Sequence, residues 1–290
     1  MGNRKQAGLD EDPLRASVRS LKETAGASKV GVAYYDYETC TGGSYFGAEW
    51  FHAASIIKVP VLVGVFGAIH AGELDLKSRV HVRNRFISVA DRTSFRVDAA
   101  RDANSAVYDA RGRTMRVEEL ATHMIVTSSN LATNLLIDVV GLEKIQATLR
   151  ELGLADGVEL KRGVEDERAF ERDINNRITA DGMLRVLRLI EDRRAFTADA
   201  SHQMLEIMHR QEFRSGIPAG LPEDARVAHK TGEISTVAHD AGIVYPQGRK
   251  PYALVVLTEW EADRTAKRKA TIAEISRRIY GHLTGEPADA

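Results

Sequence analysis

The chain has a single cysteine in 290 residues, Cys40, which excludes an intrachain disulfide and any multi-cysteine metal site. The role expected of Cys40 is to fill space near a strand end. Charge of one sign is also lacking. The formal net charge is -1, so no field favours nucleic acid or an anionic membrane. Long apolar runs are absent. The longest, Val59 to Ile69, is well short of the roughly 20 residues of a bilayer-spanning helix. The first twenty residues hold no apolar signal-peptide core, so the chain as written is expected in the cytoplasm, or outside it if a leader has been removed. The histidines are scattered with no H-x-x-x-H pair, and neither a P-loop nor G-x-G-x-x-G occurs. No metal, cofactor, nucleic-acid or membrane partner is therefore expected, and the chain is expected to be a monomer.

At 43% hydrophobic and 28% charged, the composition is that of an ordinary globular protein with room for a sizeable core. Asp12-Pro13 suits a helix cap and first-turn proline, and Leu14, Val18 and Leu21 follow at helical spacing. Val30 to Glu38 alternates as a strand, with Val30, Val32 and Tyr34 on one face. A Thr41-Gly42-Gly43 turn is expected to lead into a second strand at 44–48. Near the other end, 226–230, 241–245 and 252–259 are short strand candidates. A last helix carries Ile272, Ile275 and Ile279 and stops near Gly281 or Gly285. The middle is mostly helical: 59–71 is apolar nearly all round, 117–126 and 131–140 follow, and Thr179 can cap another helix. Residues 81–113 are charged and irregular, as expected of a surface excursion. The expected fold is α/β in two lobes. Residues 12–52 and 213–285 form a five-stranded antiparallel sheet with N- and C-terminal helices. Residues 53–212 form an all-α lobe, with the active site between the two.

Three short motifs stand in order: Ser55-Ile56-Ile57-Lys58, Ser128-Ser129-Asn130 and Lys230-Thr231-Gly232. Ser55 and Lys58 are three apart and share a helix face. A serine at a helix N-terminus has N–H groups beside it for a developing oxyanion, but it needs a base to become nucleophilic. Lys58 stands in an apolar stretch, where desolvation lowers a lysine pKa. Gly232 permits close backbone approach, and a lysine can bind a carboxylate as a point charge. Each motif alone also has a plain structural explanation: a cap at Ser55, a lysine stem covering apolar surface at Lys58, a polar connection at 128–130, an edge-strand lysine at Lys230.

Together and in this order, the motifs resemble the S-x-x-K, S-D-N and K-T-G signature of class A β-lactamases and serine penicillin-recognising proteins. Ser129 stands where that signature has aspartate. Gly72-Glu73-Leu74-Asp75-Leu76, Asn130 to Leu136 and His239-Asp240-Ala241-Gly242-Ile243 are similar to further family segments. The resemblance spans roughly residues 14–283 and implies a serine hydrolase that works through an acyl-enzyme, without a cofactor. It implies that Ser55 attacks, Lys58 accepts the proton and Ser128 relays it, with Lys230 tuning Ser128. Asn130 would bind the substrate amide, Thr231 and Lys230 its carboxylate, and the Ser55 and Glu233 N–H groups the oxyanion, with Gly232 also counted among the substrate-binding residues. His239 is expected to orient the strand beside the site.

The second base is open among Glu165, Asp166 and Glu167. Asp166 fits best, because related hydrolases carry R-x-x-x-D-x-x-A where this chain has Arg162, Asp166 and Ala169. The substrate implied is a β-lactam, or a D-Ala-D-Ala-like peptide or an ester. A slow-deacylating penicillin-binding protein, a D,D-peptidase or an esterase of the same fold is the first rival. A non-catalytic module binding peptidoglycan or protein is the second, which an intact Ser55, Lys58 and Lys230 disfavour. Replacing aspartate by Ser129 is expected to loosen the 128–130 loop.

Overall fold

A computed structural model describes residues 13–262 and 267–285; Asp12 lies outside these. Both ends of the chain feed one antiparallel sheet. Its strands are β1 (Lys29–Asp36), β2 (Thr41–Tyr45), β3 (Arg226–Ile234), β4 (Val237–Tyr245) and β5 (Tyr252–Glu259). They lie in the order β3-β4-β5-β1-β2. Side chains of a strand alternate between its faces, and here each face has its own core. Tyr252, Leu254 and Val256 of β5 pack with Val30, Val32 and Tyr34 of β1 on one side, while Ala253, Val255 and Leu257 point to the other. Because β5 is covered on both faces, its sequence is one apolar run.

The first face is covered by α1 (Pro13–Ala25) and the C-terminal helix, which place Leu14, Val18, Ile272, Ile275 and Ile279 on the sheet. The second face meets the helical lobe: α2 (Lys58–His70), α3 (Val117–Val126), α4 (Asn130–Val140), α5 (Leu142–Glu151), α6 (Ala180–Glu191) and α7 (Ala198–His209). The C-terminal helix, α8 (Arg268–Thr284), runs past Gly281, and Gly285 caps it at φ 76. Thr179 caps α6, its hydroxyl accepting from Gly182 N at 2.9 Å. Helix α2 is buried on nearly every side, and its glycines bring α5 close. A Cβ at Gly64 would lie 2.5 Å from the Ile145 Cγ2 atom.

Three expectations change. The β1–β2 turn is at 37–40, and Gly42 and Gly43 are inside β2. They are glycines because a Cβ there would meet Tyr34 at 2.5 Å. Cys40 is in the turn itself, exposed, at φ 55, so it fills no space. The 81–113 segment is more than surface. Val82, Phe86, Val97, Val107 and Tyr108 join the core of the helical lobe, and its exposed parts reach the cleft described below.

Layering of this kind makes α8 an integral cover. Ile275→Ala is expected to destabilise the protein by about 2–5 kcal/mol, as for other buried isoleucine truncations. Urea unfolding measures this, and a loss well under about 1 kcal/mol would mean that α8 is not tied to the sheet.

Candidate active site

A cleft of about 730 Å³ opens between the edge strand β3 and the helical lobe. Ser55, Ser128, Asn130, Glu165, Thr231 and Glu233 line it. Ser55 is in a 3-10 turn, Ala54–Ile57, that runs directly into α2. The first N–H groups of such a helix have no partner within it. Gly232 of β3 lies against them: a Cβ there would be 3.1 Å from the Ser55 nitrogen and 3.0 Å from that of Ile56. A side chain at 232 would push the strand off the helix start.

Lys58, one turn on, is fully buried. Its Nζ donates to Ser128 O at 2.6 Å and to Asn130 Oδ1 at 2.7 Å, and it is 3.1 Å from Ser128 Oγ. Burial lowers its pKa to about 7, against the opposing pull of Asp102 and Glu165. The two carbonyl oxygens can only accept, so they take two N–H groups. The third position on nitrogen is an N–H when the amine is charged and a lone pair when it is neutral. In the neutral form that lone pair can take a proton from a serine hydroxyl. Ser55 Oγ itself makes no hydrogen bond to Lys58 among the described residues; Lys58 is tied to the 128–130 loop instead.

That loop joins α3 to α4. Ser128 has φ 59, a left-handed conformation that costs a residue with a side chain roughly 1–3 kcal/mol. Ser129 caps α4, its Oγ accepting from Ala132 N at 3.1 Å. The same hydroxyl donates to Asp102 Oδ2 at 2.6 Å, while the Asn130 N–H donates to Asp102 Oδ1 at 2.6 Å. Asp102 lies in the 81–113 segment and no motif pointed to it.

Glu165 reaches the cleft and Asp166 does not. Asn130 Nδ2 donates to Glu165 Oε1 at 2.6 Å, so Lys58, Asn130 and Glu165 form one chain. The other oxygen, Oε2, accepts from Asp98 N at 2.9 Å and lies 3.5 Å from Arg101. Asp166 is buried and faces away, as the cap of the short helix Glu167–Glu171. It accepts from Ala169 N at 3.2 Å, Ser88 Oγ at 2.7 Å and Val89 N at 3.0 Å. The placement expected of Asp166 is therefore corrected. Glu165 has φ 60, and this local reversal turns adjacent carboxylates in opposite directions. Glu167 lines the rim and pairs with Arg101 at 3.2 Å.

Two buried asparagines hold the strip that carries Glu165. Asn134 of α4 donates to Val164 O and accepts from Val164 N, both at 2.8 Å. Asn176 Oδ1 accepts from the N–H groups of Lys161 and Arg162 at 2.8 and 3.0 Å.

On the strand side Lys230 is buried and its Nζ donates to Thr231 O at 2.8 Å. Burial, and then the charge of Lys58, hold its pKa well below the lysine range, with Asp240 opposing. The Glu233 carboxylate turns toward Lys269 at 3.0 Å. His239 is structural: Nδ1 accepts from Thr258 N at 3.1 Å, which leaves Nε2–H to donate to His52 O at 2.9 Å. Burial lowers its pKa to about 4, so the ring is neutral.

Residues 13–283 match the beta-lactamase enzyme family. The chain belongs to this family. A beta-lactamase of Kitasatospora aureofaciens is 27% identical over 276 residues, which cover 93% of this chain and 85% of that protein. The crystal structure of a beta-lactamase from Sphaerobacter thermophilus superposes with a TM-score of 0.80 at 25% identity, covering 96% of this chain and all (100%) of that one. A mutant of PBP-A, solved as an acyl-enzyme complex with penicillin G, shares the fold with a TM-score of 0.79 at 24% identity. That match covers 94% of this chain and 96% of that one. This member of the family is a serine hydrolase of the β-lactamase and penicillin-binding-protein fold.

The contact at Gly232 gives a sharp test. In Gly232→Ala the methyl group meets the Ser55 and Ile56 nitrogens, and the strand must withdraw by a few tenths of an ångström. Serine-directed probe labelling is expected to slow by ~10²-fold, the scale of losing one oxyanion donor, with little loss of thermal stability. Unchanged labelling would show that the β3–α2 approach has no part in the chemistry.

Proposed function

We propose that this protein hydrolyses β-lactam amides through an acyl-enzyme on Ser55. The observation that carries this reading is the unbroken chain from Lys58 through Asn130 to Glu165, beside Ser55 and Ser128 in one cleft. Neutral Lys58 takes the Ser55 proton as Oγ attacks the amide carbonyl. The N–H groups of Ser55 and Glu233 receive the oxyanion. Ser128 passes a proton to the leaving nitrogen, and the Lys230 amine favours that transfer. Asn130 holds the substrate's side-chain amide, while Lys230 and Thr231 hold its carboxylate. Glu165, in the role first expected of Asp166, draws a proton from the water that releases the acyl group. The beta-lactamases among its relatives support the substrate class.

One observation favours a second reading. Glu165 Oε2 is already engaged by Asp98 N and Arg101, which leaves less of the carboxylate for water. Deacylation would then be slow, as in a penicillin-binding protein.

A chromogenic cephalosporin followed by both colour and intact protein mass separates these readings. Hydrolysis predicts continuous turnover with little adduct, and slow deacylation predicts one burst and a lasting adduct on Ser55. Ser55→Ala should abolish colour and adduct alike. Glu165→Gln should cut steady turnover by ~10²- to 10⁴-fold, the range of general-base loss, and accumulate the acyl-enzyme. An adduct that persists in Ser55→Ala would overturn the assignment of the nucleophile. Unimpaired turnover in Glu165→Gln would remove Glu165 from deacylation.

A further inference from the structure

The S-x-N loop lacks the aspartate that its family resemblance leads one to expect, yet the loop is not without a carboxylate. Asp102 grips it with both oxygens: Oδ2 takes the Ser129 hydroxyl at 2.6 Å and Oδ1 takes the Asn130 N–H at 2.6 Å. These partners are 27 and 28 positions away in sequence. We propose that Asp102 is a positioning residue for the acyl-transfer site, a carboxylate supplied from the facing segment in place of one within the loop. This rests on the reading of the cleft as an acyl-transfer site.

Three observations carry it. First, the groups held are the two that fix the loop's conformation. Ser129 is the cap of α4, and the Asn130 N–H is one of the donors at that helix start that lack an intrahelical partner. Asn130 and Ser128 are in turn the residues that bind the Lys58 amine. Second, the fit is specific to serine. The Ser129 hydroxyl accepts from Ala132 N while donating to Asp102. A carboxylate at 129 could accept but not donate, and it would put two negative groups at hydrogen-bond distance. Serine at 129 and aspartate at 102 therefore fit as a pair. Third, the segment that delivers Asp102 is itself built into the site. The 3-10 turn Ala99–Arg101 starts at Asp98, whose N–H binds Glu165, and Arg101 pairs with Glu165 and Glu167 before Asp102 ends the turn. One turn thus braces both the loop that holds Lys58 and the strip that carries Glu165.

The Asp102 charge also acts on Lys58. The charged groups felt at that amine are Asp102 and Glu165, which favour its protonated form against burial. Removing the Asp102 charge must favour the neutral amine, so the acidic limb of acylation moves to lower pH. A side chain that merely stiffened the fold would leave that limb in place.

The test combines four variants with two readouts: the pH dependence of Ser55 labelling by a fluorophosphonate, and amide hydrogen exchange at Asn130. Asp102→Ala is expected to slow labelling by about 10²-fold, as an ångström-scale misplacement does, and to speed exchange at Asn130. Asp102→Asn can keep both contacts without charge, so it should cost less in rate but still move the acidic limb downward. Ser129→Asp alone should slow labelling through repulsion. The double change Asp102→Ser with Ser129→Asp should recover most of that loss, because the donor and the carboxylate have exchanged places. Labelling of Asp102→Ala at the wild-type rate with an unmoved limb would overturn the proposal. So would a double variant no better than Ser129→Asp. If wild type itself were not labelled at Ser55, the reading of the cleft would fail. Exchange at Asn130 would then decide Asp102 separately: unchanged protection in Asp102→Ala would overturn its hold on the loop.

Discussion

The amine of Lys58 is the constraint around which the cleft is arranged. A fully buried ammonium far from counter-charge is too costly to persist, and the usual relief is to lose the proton. Here the amine lies under the start of an apolar helix, with Ser128 O and Asn130 Oδ1 to take its hydrogens and two carboxylates close by but not in contact. Burial wins over those carboxylates, yet not completely, so the amine titrates near neutrality at about 7. An amine in this state can both accept a proton from a serine and return it to a leaving group. Moving either carboxylate closer would fix the proton on nitrogen. Removing both would favour the neutral amine further.

Holding this balance requires a backbone that ordinary helices and strands do not supply. Ala54, Ser128 and Glu165 all take positive φ angles, and all three line the cleft. Each conformation is costly for a residue with a side chain, and each is held by something outside itself. Ala54 N donates to His52 Nδ1, Ser129 and Asn130 are tied to Asp102, and Asn134 and Asn176 grip the strip ahead of Glu165. The rigid elements beneath, α2, α4 and β3, give these turns fixed ends. Positive φ angles occur elsewhere in the fold as well, as at Cys40, but these three turn residues into the cleft.

Elements whose sequence follows one physical rule were legible in advance. The apolar alternation of β1, the apolar run of β5 and the all-round apolarity of α2 each gave the right element. Ser55, Lys58, Ser128 and Asn130 were singled out because their motifs together resemble the family signature, and the fold brings Lys58 against Ser128 and Asn130 in the cleft that Ser55 lines. Asp166 was preferred to Glu165, and the structure turns Glu165 instead into the cleft, because neighbouring carboxylates differ only in the direction set by a single φ angle. One local signal favoured the outcome, since Asp166 stands where an N-cap belongs, three residues before Ala169. Asp102 had no such signal. It lies in an irregular segment and meets Ser129 and Asn130 only through the tertiary fold.

Direct titration of Lys58 bears most closely on all of this. With lysine labelled at Nζ or Cε, NMR can follow the Lys58 signal through pH, with Lys58→Arg used to identify it. A midpoint near 7, moving down when Asp102 is replaced by Asn, is the expected result. A midpoint above about 10, the ordinary lysine value, would mean that the amine stays charged at neutral pH and cannot be the base that activates Ser55.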